Sequence, residues 1–262
     1  MSIYIGENNI AKQVNNIFIG VDGVARQVLS AYMGVDGVAK LIYCNDFDPV
    51  FANNTWEKII DMCQSNNVPD TWKVGDSKPM AINGSYYQID IIGKNHDTYS
   101  DDGNTAPLTF QIHEMLPTLY QLDTIATQNN EWQNCAMRKN HLPAIMAKMP
   151  NEVRSGIRAV NKATCVGAFS STTRTTEDKL FLLSETEVFA NRTYAIGAEG
   201  KRYEYYTKNS AIKSMYGGTS NEWWLRSPDI ETGMCYCYAT VDNDSSYDYP
   251  TEKYGVSFAF CF

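Results

Sequence analysis

Apolar and polar residues alternate at the start of the chain in a pattern that repeats every fourteen residues. The aligned copies are IYIGENNIAKQV (3–14), IFIGVDGVARQV (17–28) and AYMGVDGVAKLI (31–42). Each copy has two β-rich runs around a short turn. The candidate turns are Asn8-Asn9, Asp22-Gly23 and Asp36-Gly37. The two Asp-Gly pairs are the residues that a type I′ turn requires, because both central positions need positive φ, and the Asn-Asn pair is a weaker version. Residues 1–44 are therefore predicted to form three successive β-hairpins.

Short hairpins bury little surface alone and need neighbours or partner chains for stability. We interpret residues 1–44 as an attachment or oligomerisation module; the alternative is a plain β-meander fused to the next domain. The turn-rich stretch NDFDPVFAN (45–53) breaks the period and predicts a linker. A larger domain then covers residues 54–262.

Mixed periodicities in this larger domain predict an α+β fold with short helices and an irregular, mostly antiparallel sheet. A capping-box spacing at Asn54 and Glu57 predicts the first helix. The apolar spacing predicts a second helix over 131–140, and Pro150 begins a third. The predicted strands are 78–82, 86–92, 108–116, 156–164, 179–189 and 201–207.

The last forty residues have apolar ends and a polar, tyrosine-rich interior. WWLRSP (223–228) and GVSFAFCF (255–262) predict buried neighbouring strands. Between them, 229–254 concentrates tyrosine with short polar residues, a composition typical of binding surfaces; the alternative is a surface loop with no special role. The candidate ligand-binding residues are Asp229, Ile230, Tyr236, Tyr238, Asp242, Asn243, Asp244, Tyr247, Asp248, Tyr249 and Tyr254.

The net charge of −8 and pI near 4.9 argue against nucleic acid and anionic membranes as partners. No stretch approaches the ~20 apolar residues of a spanning helix, so membrane insertion is not expected. The start of the sequence lacks the basic and apolar regions of a signal peptide, which predicts synthesis in the cytoplasm.

Motifs for catalysis or cofactor binding are missing from the sequence, so neither an enzyme nor a bound cofactor is expected. Seven scattered Cys predict reduced, buried thiols, and three His without ligand-like spacing predict no zinc site. Loop 94–107 is predicted to be solvated because its acids lack calcium-loop spacing. Glu185 and Glu187 are predicted on a solvated strand edge. A glycosidase pair remains open, since its carboxylates meet only in space.

Two stretches carry resemblances to known proteins. GVDGVAR (20–26) and GVDGVAK (34–40) resemble hairpin repeats near the N-termini of tail and appendage proteins of phages and prophages in Gram-positive bacteria. The frame WWLRSP … GVxFxFC resembles a domain of unknown function in phage and prophage proteins of gut bacteria. That domain is similar to the variable proteins of diversity-generating retroelements, which have a C-type-lectin fold ending in a hypervariable segment.

These resemblances imply a C-type-lectin-like domain with a variable-like segment at 229–254. They also imply a phage or prophage tail protein that acts outside the cell and binds a bacterial surface protein or glycan. Residues 1–44 would contact tail components or form a homo-trimer. The alternatives are a bacterial surface adhesin or display protein with the same domain, and an enzyme of related fold.

Overall fold

A computed structural model describes residues 3–7, 10–14, 17–28, 30–35, 38–44, 47–127, 131–167, 169–190 and 193–262. The chain divides into two units, Met1–Asn54 and Thr55–Phe262. The division falls one residue after the predicted linker. The larger unit is mixed α/β, with short helices and several small antiparallel sheets.

Each repeat of the smaller unit folds as one antiparallel pair of strands. The strands are β1 (Ile3–Glu7), β2 (Ile10–Val14), β3 (Phe18–Val21), β4 (Val24–Gln27), β5 (Ser30–Val35) and β6 (Val38–Cys44). Asp22 and Gly23 both have positive φ, at 52° and 76°, as a type I′ turn requires. The turns at 8–9 and 36–37 lie outside the described residues.

The first helix is capped by Thr55 and not by the predicted Asn54. Helix α1 (Trp56–Gln64) begins where the Thr55 side chain accepts a hydrogen bond from the Lys58 backbone N–H. The Asn54 side-chain amide instead donates to the backbone carbonyls of Asp48, Val50 and Phe51. The capping-box prediction was wrong because the Asn54 side-chain oxygen, which would have to accept a helix N–H, accepts the Asp48 N–H at 2.7 Å instead.

The other helices are short and differ from prediction in three places. They are α2 (Leu142–Met146), α3 (Asn151–Gly156), α4 (Glu185–Val188) and α5 (Glu204–Lys208), with 3-10 turns at Phe51–Asn53 and Gly197–Glu199 and a π-helix at Met137–His141. The predicted helix 131–140 starts only at 137 and continues past Pro143, which is tolerated in a first turn. The predicted strands 179–189 and 201–207 are wrong at α4 and α5.

The strands of the larger unit follow in chain order. They are β7 (Ser77–Ile82), β8 (Ser85–Lys94), β9 (Leu108–Ile112), β10 (Tyr120–Gln121), β11 (Val160–Cys165), β12 (Thr173–Asp178), β13 (Lys213–Ser214), β14 (Ser220–Asn221), β15 (Trp223–Pro228), β16 (Tyr236–Ala239), β17 (Ser245–Asp248), β18 (Lys253–Tyr254) and β19 (Ala259–Cys261). Among the described residues of the larger unit, two sheets have the orders β19-β9-β8-β7 and β15-β16-β17, and three two-stranded pairs accompany them: β10-β18, β11-β12 and β13-β14.

The C-terminal strand lies in the core, as its apolar sequence predicts. Phe258 and Phe260 are fully buried, and β19 pairs with β9. It belongs to a different sheet from β15, but the two segments meet at Gly255, whose carbonyl accepts a hydrogen bond from the Trp224 N–H at 3.0 Å. A Cβ at Gly255 would collide with the Met115 side chain and lie 3.0 Å from the Glu222 carbonyl, so the close approach requires glycine.

Among the described residues, no helix is long and apolar enough to cross a membrane.

Candidate functional site

The tyrosine-rich segment forms strands whose side chains alternate between two faces. Tyr238 lies opposite Ser246, and Tyr236 lies opposite Asp248, so these four share one face. Cys237 lies opposite Tyr247 and shares the other face with it. The segment therefore does not place its tyrosines on one patch, and it has a buried and an accessible part on each face.

Two of the candidate residues point into the protein. Asp229 is fully buried, and its carboxylate accepts hydrogen bonds from the backbone N–H and hydroxyl of Thr232, which fixes the turn after β15. Tyr236 is fully buried, and its hydroxyl has no partner among the described residues. Both are candidate ligand-binding residues, but the structure buries their side chains. Because Tyr236 shares a face with the half-exposed Tyr238, tertiary packing and not strand alternation buries it. Ile230 is half-buried, and its backbone carbonyl accepts from the Phe169 N–H.

The first face carries an aromatic platform. The rings of Tyr238 and Tyr254 stack at 4.5 Å, and both contact the buried Trp224 edge to face. The Tyr254 hydroxyl donates to the Asp248 carboxylate at 2.7 Å. Burial, followed by this carboxylate, raises the pKa of Tyr254. Tyr238 and Tyr254 remain half-exposed, which leaves the platform open to a ligand.

Tyr247 and Tyr249 are the most exposed tyrosines of the segment, at 39% and 48%. Tyr247 lies on β17, the edge strand of its sheet, on the face opposite Tyr238. Its ring packs against Tyr194 at 4.9 Å with an interplanar angle of 68°. Tyr194 lies outside the predicted segment, and its position beside Tyr247 is set by tertiary structure.

The loop between β16 and β17 is held in one shape by its own hydrogen bonds. Asn243 has a φ of 63°, and its side-chain carbonyl accepts from the Ser210 hydroxyl and the Ala211 N–H at 3.0 and 2.7 Å. The Thr240 N–H donates to the Asp244 carbonyl at 2.8 Å. Asp242 and Asp244 are exposed on this loop. The backbone that carries their carboxylates is thus held by hydrogen bonds, which lowers the entropic cost of binding.

The distinctive Arg226 of the WWLRSP frame is a buried structural residue. Its guanidinium binds both carboxylate oxygens of Glu187, the hydroxyl of Thr164 and the backbone carbonyls of Leu182 and Glu199. All five nitrogen–hydrogen groups of an arginine need acceptors when it is buried. The frame thus ties β15 to β11 and α4, and it holds the tyrosine-rich strands in place.

Lys162 completes this buried cluster from the other side. Its ammonium lies 2.8 Å from Asp97 and 2.6 Å from Glu187. Burial would raise the pKa of Asp97, but Lys162 and His96 outweigh it and lower the value to about 2. For Glu187 the charges of Arg226 and Lys162 likewise outweigh burial and lower the pKa. Glu187 was predicted at a solvated edge, and Asp97 was predicted in a solvated loop, 94–107. Both predictions were wrong for these two acids, because each has a cationic partner in the core.

Glu185 was also predicted at a solvated edge and is fully buried in α4. The sequence contained the signal for this helix: Ser184 and Glu187 form a capping box, with each side chain bound to the other residue's backbone.

His96, Asp97 and Glu187 bring potential metal-ligand atoms within 4.8 Å of one another. The two carboxylates already bind the Lys162 ammonium, and the His96 ring stacks on Tyr203 at 3.8 Å. A divalent metal would have to displace a hydrogen-bonded cation that neutralises the same charges. The geometry therefore supports an ion-pair cluster and not a metal centre.

Glu199 is a further buried acid, and Arg226 and Lys162 do not fully neutralise its charge. Its carboxylate accepts from the Cys165 N–H at 2.7 Å and contacts the Ser227 hydroxyl. Burial raises the pKa of Glu199 to about 7, although Arg226 and these hydrogen bonds oppose the shift.

The thiols do not provide a reactive group in the described structure. The free cysteines whose surroundings are described are buried: Cys63, Cys135, Cys165, Cys235, Cys237 and Cys261. Burial raises the pKa of the Cys237 thiol well above its usual value. The thiolate fraction at neutral pH is consequently small.

Two clefts formed by described residues of the larger unit have linings outside 229–254. One of about 410 Å³ lies between the end of α1, loop 95–107 and Arg158, and one of about 260 Å³ lies beside Arg138 and Asp178. The exposed tyrosines and acids of the segment lie on an edge strand and a loop, a geometry that suits a macromolecular partner.

The comparisons with known proteins give one match. No curated protein and no solved structure matches the chain. A family model described as a domain of unknown function, DUF6273, matches residues 109–262. The match runs from β9 through the Arg226 frame and the tyrosine-rich strands to the buried C-terminal strand. Since it covers more than half of the sequence, the chain belongs to the DUF6273 family.

Proposed function

We propose that this protein is a receptor-binding protein of a phage or prophage tail. Its larger unit is a C-type-lectin-like domain that recognises a protein on a bacterial surface through the accessible side chains of 229–254. The observation that carries the proposal is the exposure of Tyr247 and Tyr249 beside a hydrogen-bonded acidic loop. Exposed aromatic rings forfeit burial, and Tyr is enriched at the energetic centres of interfaces.

The proposed binding surface contains fewer residues than the candidates named from the sequence. The accessible contacts are Tyr238, Asp242, Asp244, Tyr247, Asp248, Tyr249 and Tyr254, with Asn243 shaping the loop. Asp229 and Tyr236 support the fold from inside.

The smaller unit supports an attachment or oligomerisation role. Phe18 and Ile19 are neighbours on β3, so they point to opposite faces of a two-stranded hairpin, yet they are 58% and 53% exposed. Val24 and Met33 are exposed as well. A hairpin with exposed apolar side chains on both faces is stabilised when a partner buries them. Tail components, or two further copies in a homo-trimer, would be such partners.

Cell binding tests the receptor assignment. The labelled full-length chain is incubated with a panel of intact bacterial cells, and bound protein is measured by flow cytometry. Replacing Tyr247 and Tyr249 together with alanine should weaken binding at least about thirtyfold, since a central tyrosine contributes ~2 kcal/mol or more. Tyr86→Ala is the control, because Tyr86 is an even more exposed tyrosine, at 68%, on β8 outside the segment.

The thermal midpoint of the double variant should match that of the wild type. Unchanged cell binding, or a collapsed midpoint, would remove the receptor assignment.

The molecular mass of the full-length protein in solution tests whether residues 1–44 mediate self-assembly. Replacing both Phe18 and Ile19 with threonine should convert the oligomer to a monomer. The same mass for variant and wild type would contradict self-assembly through these side chains.

A further inference from the structure

Tyr194 and Tyr247 form an aromatic corner at the edge of the β15-β16-β17 sheet. Their rings meet edge to face at 4.9 Å, and Tyr247 is exposed while Tyr194 is half-buried. Neither hydroxyl has a hydrogen-bond partner among the described residues. The corner thus presents two ring surfaces and two free hydroxyls to solvent.

A buried carboxylate lies behind this corner. Glu185 is fully buried, and its oxygens accept from the backbone N–H groups of Tyr194 and Ala195 and from the Ser245 hydroxyl. It forms no ion pair with a Lys or Arg within the described ranges. The carboxylate of Glu185 therefore makes the electrostatic potential at the corner more negative. Glu187 differs, because Lys162 and Arg226 both form ion pairs with it.

The exposed loop adds a second carboxylate on Asp244, which directly precedes Ser245, whose hydroxyl donates to Glu185 at 2.6 Å, and comes three residues before Tyr247. Burial raises the pKa of the Tyr194 phenol, and the nearby Tyr247, Asp244 and Glu185 raise it further. Asp244 is exposed and is held by the hydrogen bonds of the loop. Two carboxylates and two aromatic rings thus converge on one exposed corner.

The charge of the whole segment has the same sign. Residues 229–254 contain Asp229, Glu231, Asp242, Asp244, Asp248 and Glu252 against the single basic residue Lys253. An anionic partner would be repelled from this surface. A cation gains from the carboxylates by Coulomb attraction and from the ring faces by cation–π interaction.

We propose that the corner formed by Tyr194, Tyr247 and Asp244 binds a basic side chain, guanidinium or ammonium, that the receptor protein presents. This inference rests on the proposed function and names the chemistry of the partner. It also adds Tyr194 to the binding surface, and it gives Glu185 the role of a buried charge that favours a cation.

A peptide with four arginines spaced by Gly-Ser pairs is the probe, and the same peptide with citrulline in place of arginine is its neutral control. Binding to the full-length protein is measured by fluorescence anisotropy at low salt. The arginine peptide should bind about tenfold more tightly than the citrulline peptide, and added salt should remove the difference. Tyr247→Leu and Asp244→Asn should each weaken the arginine complex about three- to tenfold.

Tyr86→Leu and Asp61→Asn are matched controls, since they alter an exposed tyrosine on β8 and an exposed aspartate on α1, and they should leave the peptide affinity unchanged. Equal affinity for both peptides, or no binding of either at millimolar concentration, would overturn the inference. If cell binding still depends on Tyr247 and Tyr249 in that case, the proposed function stands and a neutral group of the receptor protein takes the place of the cation. Loss of that dependence would remove the proposed function itself, whatever the peptides do.

Discussion

Replacing Glu199 with glutamine should stabilise the larger unit at pH 8 and destabilise it by about 1 kcal/mol at pH 4.5. Burial raises the pKa of this carboxyl from 4.5 to about 7. Between these values the folded chain binds more protons than the unfolded chain, so stability falls as the pH rises and the loss is complete above about pH 7. At ~1.4 kcal/mol per pKa unit, the ionised carboxylate costs roughly 3 kcal/mol of folding free energy at pH 8.

Glutamine keeps an acceptor for the Cys165 N–H and removes the charge. It changes the contact with Ser227, whose hydroxyl oxygen also accepts the Glu185 N–H, and that change costs ~1 kcal/mol. The net gain at pH 8 should therefore be about 2 kcal/mol. Urea unfolding of the full-length wild type and variant at both pH values measures it, with Glu177→Gln as a control at an exposed acid. A difference that is the same at both pH values would refute the buried-charge explanation.

Three further predictions concern the frame around the binding strands. Arg226→Met should lower the free energy of unfolding by about 3–5 kcal/mol in urea titrations, because Glu187 loses a buried partner; a loss below about 1 kcal/mol would contradict this. Tyr236→Phe should raise the thermal stability by about 1 kcal/mol without altering cell binding, since its buried hydroxyl has no partner among the described residues; destabilisation would show that the hydroxyl is paired. Gly255→Ala should cost about 1–3 kcal/mol by the same titration, because a Cβ there meets Met115; full stability would mean that the two segments separate easily.

The sequence predicted the elements whose signals are local. The repeat and the Asp22-Gly23 turn identified a hairpin, and the apolar run 255–262 identified a buried strand. The strand-like composition of 201–207 led to a wrong strand prediction. The chain turns into α5 there, and Tyr203 and Tyr206, three residues apart, are both buried. At 179–189 the Ser184 capping box outweighs the apolar run before it.

The sequence singled out the segment 229–254 but not which of its side chains are accessible. Composition singled out Tyr247 and Tyr249, which are exposed, but it could not show which tyrosines are buried. Tyr236 and Tyr238 share a face, and only tertiary packing buries Tyr236. The ion-pair cluster joins Asp97, Lys162 and Arg226 across long stretches of sequence, so no local pattern could reveal it. Tyr194 was missed for the same reason, since only tertiary structure places it beside Tyr247.

The uneven burial along β16 and β17 has a consequence for engineering the protein. A combinatorial library could randomise Tyr238, Ser246, Tyr247 and Asp248, which are at least partly accessible, and would have to retain Tyr236, Cys237 and Ser245, which are buried. The loop allows change at Asp242 and Asp244, but Asn243 must stay because it anchors the backbone to Ser210 and Ala211. Variants chosen by this rule should share one melting temperature while differing in what they bind, so the strand pair would serve as a scaffold for selecting new specificities.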